Sequence, residues 1–210
     1  MRVTMTLFLF LRLCERSKLE KEILDCGAGG EKPPLYIFHL FGYKTHGIDI
    51  SEEQVKKASA FCEEKGIDLG IRKGDMRNLP FEDRSISFVY SYDTIFHMPK
   101  KEVSVAMEEM KRVLRKEGLL FVNFVSTKHN GYGKGREVGA GEFIQNGRYG
   151  KVFISYYEED EPDQYFNGLQ ILCKERRIRE FTRRGAHALG YNVDVKKHVY
   201  ASLDYVTRKR

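Results

Sequence analysis

The chain has 210 residues and a formal net charge of +6, a length that builds one sizeable core and argues against several domains. Acidic and basic residues interleave through most of it, so the charge by itself does not demand nucleic acid. Cys14, Cys26, Cys62 and Cys173 are scattered without a C-x-x-C pair or neighbouring histidines, which argues against a disulfide framework or a metal site and for reduced, cytoplasmic thiols.

Residues Met1 to Ser17 hold an apolar run, Leu7 to Leu11, that is too short to span a bilayer. Arg12, Arg16 and Lys18 interrupt it and no small-residue cleavage site follows, so it is not read as a signal peptide. The spacing predicts an amphipathic helix with Leu7, Leu11 and Cys14 on one face.

The stretch from Glu22 to Gly30 predicts a strand ending at Asp25 and a turn at Cys26-Gly27-Ala28-Gly29-Gly30. Glycine accepts positive φ there and lets a ligand approach bare main chain. Pro33-Pro34 then suit the first turn of a helix over Leu35 to Phe41, Gly42 closes it, and Lys44 to Ile50 reads as a second strand carrying Asp49. A carboxylate at the end of that strand, roughly 20 residues past a glycine turn, is placed to accept from both hydroxyls of a ribose. The alternative role for Asp49 is a cap on the next helix. A pyrophosphate turn would need G-x-G-x-x-G, but the sixth position from Gly27 is Lys32, and the acidic Glu31 disfavours a pyrophosphate while tolerating a cationic ligand.

Ser51-Glu52-Glu53-Gln54 has the pattern of a capping box, followed by Val55, Ala58, Phe61 and Cys62 at helical spacing and Gly66 as the stop. Ile67 to Lys73 and Ser85 to Tyr92 read as the third and fourth strands, Glu102 to Lys116 as a helix with Gly118 beyond its end, and Leu119 to Val125 as a central apolar strand. From Thr127 to Gly147 six glycines break the pattern, which predicts a functional or disordered loop. Lys151 to Tyr157 regains strand character, Glu158 to Phe166 suits a short helix, and Leu169 to Phe181 and Tyr200 to Thr207 are the last strands. Basic residues gather in Lys174 to Arg184 and at Arg208-Lys209-Arg210, where solvated faces are favoured over a phosphate patch. Strands alternating with helices predict an α/β, doubly wound parallel sheet with ligands at the carboxyl ends of its strands.

Asp25-Cys26-Gly27-Ala28-Gly29-Gly30, Asp49-Ile50-Ser51, Gly74 to Phe81 and Phe88-Val89-Tyr90-Ser91-Tyr92, in this order, resemble the motifs of class I S-adenosylmethionine-dependent methyltransferases, in particular the small-molecule group similar to quinone-biosynthesis enzymes. The resemblance spans about residues 20 to 126. It implies a seven-stranded Rossmann-like methyltransferase sheet whose last strand inserts antiparallel between the fifth and sixth. It also implies S-adenosylmethionine as cofactor. The length fits one domain over 1–210, and the glycines and the aromatic residues Tyr132, Phe143, Tyr149, Phe153, Tyr156 and Tyr157 at about 127–157 are read as a lid-like insertion that could enclose an acceptor. Asp25, Gly27, Ala28, Gly29, Asp49, Ile50, Gly74, Asp75, Met76 and Ser91 become the expected cofactor residues. Asp25 would face the amino group or accept from the turn's own N–H groups, and Asp75 would accept from the adenine amine between Ile50 and Met76. Tyr92 and His97 become the catalytic candidates beside the methyl group, no metal is expected, and the leading helix is expected to pack on the domain or cover the methionine end. The expected partner is a small-molecule acceptor, with nucleic acid disfavoured, no membrane, and a cytoplasmic location. A nucleic-acid methyltransferase and a catalytically silent binding protein are the competing readings. The fourth strand ends Tyr90-Ser91-Tyr92-Asp93, without the Asn/Asp-Pro-Pro-aromatic motif of base-amine methyltransferases.

Overall fold

The computed structural model describes residues 5–147, 150–182, 184 and 197–210. Helix α1 (Met5–Arg16) precedes β1 (Glu22–Cys26), α2 (Leu35–Leu40), β2 (Lys44–Asp49), α3 (Glu52–Lys65), β3 (Ile71–Lys73), β4 (Ile86–Ser91), α4 (Lys100–Val113) and β5 (Leu114–Ser126). The remaining strands are β6 (Arg136–Gly139), β7 (Glu142–Gly147), β8 (Gly150–Tyr157), β9 (Leu169–Thr182) and β10 (Lys197–Lys209), with short 3-10 turns at Ile95–His97 and Glu161–Phe166.

The central sheet runs β3-β2-β1-β4-β5, all parallel. Beyond β5, β10 pairs antiparallel with both β5 and β9, so the last strand inserts between the fifth and sixth strands of the methyltransferase pattern, as the resemblance implied. Parallel strands need both faces covered, and the burial agrees: all six residues of β4 are buried. One face packs on α4 through Val103, Met107 and Met110. The other is covered by α1 and α2.

Helix α1 does not line the cleft described below. Its Leu7, Phe10, Leu11 and Cys14 are buried, and Phe10 lies 6.2 Å from Phe38, 6.3 Å from Tyr90 and 5.6 Å from Phe121, centroid to centroid. The amphipathic reading therefore holds, and the face it seals is the sheet. No helix among the described residues is long and apolar enough to cross a membrane.

Two expectations change. The helix expected to reach Lys116 stops at Val113, and Leu114 already pairs with Ile86 across a register shift. Glu117 at φ 62° absorbs the bulge, so a local glycine stop at Gly118 marks an irregular strand start and not a helix end. The glycine-rich stretch after β5 is likewise no structureless loop. Gly133, Gly135 and Gly141 take positive φ of 74°, 82° and 73°, and these turns fold it into the antiparallel meander β6-β7-β8, whose last strand joins β5 at Val125 and Ser126. Strand β6 is largely exposed and β7 buries only Phe143 fully, which is why no apolar alternation betrayed these two, whereas β8 was legible from Lys151 to Tyr157. Tyr132, Phe143 and Tyr156 knit it together with centroids 5.6 to 5.8 Å apart.

The basic stretch on β9 is spent on neighbours. Lys174 pairs with Asp160 and Asp163, Arg176 with Glu159, and Arg177 with the buried Asp204, while Lys209 donates to the Lys111 and Leu114 carbonyls.

Phe10→Ala should lower unfolding stability by about 3–5 kcal/mol, the range for deleting a buried aromatic ring. Urea denaturation measures it, and a loss under 1 kcal/mol would mean α1 is not part of the core.

Candidate active site

At the carboxyl edge of the sheet, β1, β2, β3 and β4 deliver their ends into one cleft of about 260 Å³. Two larger surface hollows lie away from it, one under the end of α3 and one at the amino edge of the sheet beside Leu119. Neither gathers the sequence-predicted residues.

The glycine turn is held by β2. The Gly27 and Ala28 N–H groups both donate to the Ile48 carbonyl at 2.8 and 3.1 Å, and Gly30 N–H donates to the Gln54 carbonyl at 3.0 Å. Gly29 N–H donates to Asp49 Oδ2 at 2.9 Å, and Ser51 N–H to Asp49 Oδ1 at 2.9 Å. Glycine is required here twice over. A Cβ on Gly27, whose φ is 113°, would stand 2.3 Å from Thr94 Cγ2, and one on Gly29 would stand 2.6 Å from Asp49 Oδ2.

Asp49 therefore does not cap α3. Ser51 does, with Oγ accepting from Gln54 N–H at 3.3 Å, while Gln54 packs against Gly29. Each Asp49 oxygen has one backbone donor and keeps capacity for another, since an ionised carboxylate offers about four acceptor sites. Asp49 lines the cleft with Gly27, Ile50, Gly74, Asp75 and Met76. Ile50 stays 62% exposed and Met76 only 8%, so the cleft has one open apolar wall and one fixed one.

Asp25 is buried, its Oδ1 lacks a partner, and the turn's N–H groups all go elsewhere. Burial pushes its carboxyl up to about 8, with the nearby charge of Asp49 adding to the rise. The Tyr90 hydroxyl pulls it part of the way back, without an ordinary hydrogen bond.

Asp75 accepts from Arg77 N–H at 2.9 Å, closing a tight turn, and its two oxygens take the Arg77 guanidinium through Nε at 2.9 and 3.0 Å and Nη2 at 2.6 Å. Arg77 holds the carboxyl below its usual range, and its Nη1 pairs with Glu102. Arg77, Thr94, Met98, Pro99, Glu102 and Phe153 all line the cleft. Of these, Phe153 was expected near the acceptor as an aromatic residue of the lid-like stretch, and it reaches the cleft on β8, while Tyr149 of that stretch lies outside the described residues. Arg77 carried only the signal of standing two residues beyond an expected site acid.

The remaining candidates separate. Ala28 is buried beneath the turn, and Ser91, fully buried, donates from Oγ to the Cys26 carbonyl at 2.8 Å, bracing β4 on β1. Tyr92 is buried against Phe121 at 6.2 Å, on the face sealed by α1, and does not line the cleft. His97 does line it. Its Nδ1 meets the Phe153 carbonyl at 3.0 Å, which assigns Nδ1 as the donor and leaves Nε2 as the basic nitrogen. Solvent reaches the ring through the cleft mouth, yet the surrounding protein lowers its pKa, against smaller opposing effects of the Phe153 carbonyl and Asp93. No metal-binding cluster of His, Cys, Asp or Glu occurs among the described residues.

Residues 24–122 match the family described as methyltransferase domain. This stretch is similar to methyltransferase domains, and the sheet has the fold of class I methyltransferases. The chain is 32% identical over 103 residues to a sterol 24-C-methyltransferase from Gibberella zeae, covering 48% of this chain and 27% of that one. It is 31% identical over 98 residues to a sarcosine/dimethylglycine N-methyltransferase from Halorhodospira halochloris, covering 46% and 34%. The similar stretch thus spans between 27% and 39% of the first curated relatives. A solved SAM-dependent methyltransferase from Methanosarcina mazei shares the fold over 94% of this chain and 96% of its own, with TM-score 0.72 and 20% identity. A Pyrococcus horikoshii protein does so over 96% and 88%, with TM-score 0.72 and 18% identity.

The folded chain should show a pH signature of Asp25. Its folded pKa lies above the ordinary 3.8, so between about pH 4 and 8 the folded chain holds a proton that the unfolded chain has released. Asp25's own contribution to stability is then fullest below about pH 4 and declines toward pH 8, by up to about 1.4 kcal/mol per pH unit. Denaturant unfolding between pH 5 and 8 should show Asp25→Asn with a flatter decline than the parent, and equal slopes would remove Asp25 as a buried acid.

Proposed function

We propose that this protein transfers a methyl group from S-adenosylmethionine to a small-molecule acceptor. What carries the reading is the buried, unpartnered Asp25 oxygen beside a bare glycine turn. A carboxyl this costly to bury fits a ligand that brings its own cation, as the amino group of the cofactor does. Gly27 and Gly29 would border its methionine part, Asp49 would take the ribose hydroxyls, and Ile50, Gly74, Asp75 and Met76 would hold adenine. When bound, the cofactor supplies a methyl group activated on a sulfonium for in-line displacement.

The chain's own contribution is placement. Holding an acceptor aligned against the cleft can be worth roughly 7–11 kcal/mol. His97, with Nδ1–H fixed on the Phe153 carbonyl, offers Nε2 to take the acceptor's proton. Tyr92 acts from beneath as a packing residue. The meander β6-β8 serves as the wall over the acceptor end: Ser155 Oγ donates to the Met98 carbonyl at 2.8 Å, and Lys100 N–H donates to Glu142 at 2.6 Å. We assign residues 1–210 to one domain with 127–157 as its lid-like insertion, and a cytoplasmic location, which the four free thiols favour. Nucleic acid as the acceptor is disfavoured because Lys174, Arg176 and Arg177 of β9 are engaged by acids and Arg179 lies over the Tyr200 ring.

Tritiated methyl transfer from S-adenosylmethionine to pooled metabolites, with RNA and protein pools alongside, tests the function. Label should enter the metabolite pool, and label entering only RNA would replace the acceptor class. Asp49→Ala should weaken S-adenosylmethionine and S-adenosylhomocysteine alike, by about 1.5–3 kcal/mol per lost charge-assisted bond. Equilibrium titration measures both, and unchanged affinities would take Asp49 out of the site.

Activity at saturating cofactor should rise with pH along a limb centred below the imidazole's ordinary 6.5, since a lowered pKa leaves the base neutral earlier. His97→Asn should abolish that limb and spare cofactor affinity; a pH–rate profile identical to the parent's would leave His97 as a tether of β8 alone.

A further inference from the structure

We propose that Arg77 is the positioning residue that makes the cleft selective for a 6-aminopurine over a 6-oxopurine. The proposal rests on the cofactor reading above and adds a residue and a specificity to it. The Arg77 backbone N–H, Nε and Nη2 satisfy most of the Asp75 carboxylate. Three donors stand against roughly four acceptor sites on a carboxylate, with Nε–H shared between the two oxygens at 2.9 and 3.0 Å, so a fourth donor would take the longer half of that shared contact. The fork also fixes the plane of the group, because two guanidinium nitrogens meet two oxygens.

A carboxylate held this way, ionised and open to a fourth donor, can only receive a hydrogen bond. Position 6 of adenine offers an N–H donor and completes the set. Position 6 of hypoxanthine offers a carbonyl oxygen, which would face Asp75 lone pair to lone pair; N1, protonated in hypoxanthine and bare in adenine, is the second difference, and the Arg77 variants report on the contact with Asp75. Glu102, reaching from α4 to Arg77 Nη1, keeps the guanidinium from swinging into the base site and offsets its charge. Both side chains line the same cleft as Ile50 and Met76, so the fork acts where the base would lie. Arg77 itself need not touch the ligand.

Equilibrium titration of the full chain with S-adenosylhomocysteine and with its inosine counterpart, S-inosylhomocysteine, tests this. The parent should prefer the adenine compound by about ten- to a hundredfold, the size expected of one charge-assisted hydrogen bond. In Arg77→Met the preference should shrink to within about threefold, chiefly through weaker binding of the adenine compound. Arg77→Lys, which keeps a cation but not the fork, should retain an intermediate preference, and Glu102→Gln a reduced one. These two milder variants carry the test if Arg77→Met does not fold. A full parental preference in Arg77→Met, or in both Arg77→Lys and Glu102→Gln, overturns the role of Arg77. Failure of the parent to bind either compound overturns the cofactor reading and this inference with it, whereas parental binding without a preference overturns the inference alone.

Discussion

A carboxyl group that the fold buries and leaves half satisfied is the constraint around which the carboxyl edge of the sheet is arranged. Asp25, next to last in β1, is 1% exposed, and the main-chain donors of the turn are already committed: Gly27 and Ala28 to Ile48, Gly29 to Asp49, Gly30 to Gln54. An acid in that position stays protonated near neutrality because its charge would have neither water nor partner. An arriving cation supplies the missing partner, so the same burial that costs stability in the free protein favours a charged ligand.

The neighbouring acids are treated differently, and the contrast assigns them different work. Asp49 is half-buried, braced by two backbone donors and open to the cleft. Asp75 is pinned by an arginine. On the proposed reading one acid suits an ammonium, one a pair of hydroxyls and one an exocyclic amine. The carboxylates of Asp49 and Asp75, which line the cleft, would repel a pyrophosphate, in keeping with the missing third glycine of a dinucleotide turn. Glu31, which also disfavours a pyrophosphate, is exposed at the turn and does not line the cleft.

Much of this was legible in the sequence because the informative residues are local in chain and obey strict backbone rules. A glycine turn, proline at a helix start, a serine cap and a strand-end acid each announce themselves within a few positions, and they located β1, α2, β2 and α3. The antiparallel last strand was legible only through resemblance to a family, since no local pattern states which strands will pair. What stayed hidden depends on long-range contact. Tyr92 and His97 sit five positions apart, yet the chain passes through a 3-10 turn between them and sends one side chain to each face of the sheet. The hold of Arg77 on Asp75 is local, two residues apart, but only the folded turn shows it.

The meander shows the same limit from the functional side. Its glycines signalled irregularity, but they serve as corners between short strands, and a strand with both faces wet carries no alternation to read. Once folded, it reaches the cleft by three routes: Phe153 to His97, Ser155 to Met98 and Glu142 to Lys100. All three land between residues 97 and 100, the segment that joins the end of β4 to α4. Displacement of the meander would thus be felt first at His97, whose ring loses the acceptor that fixes its tautomer. On the proposed reading, the wall over the acceptor and the nitrogen that serves it are then one mechanical unit, with the ring of His97 oriented only while that wall is in place.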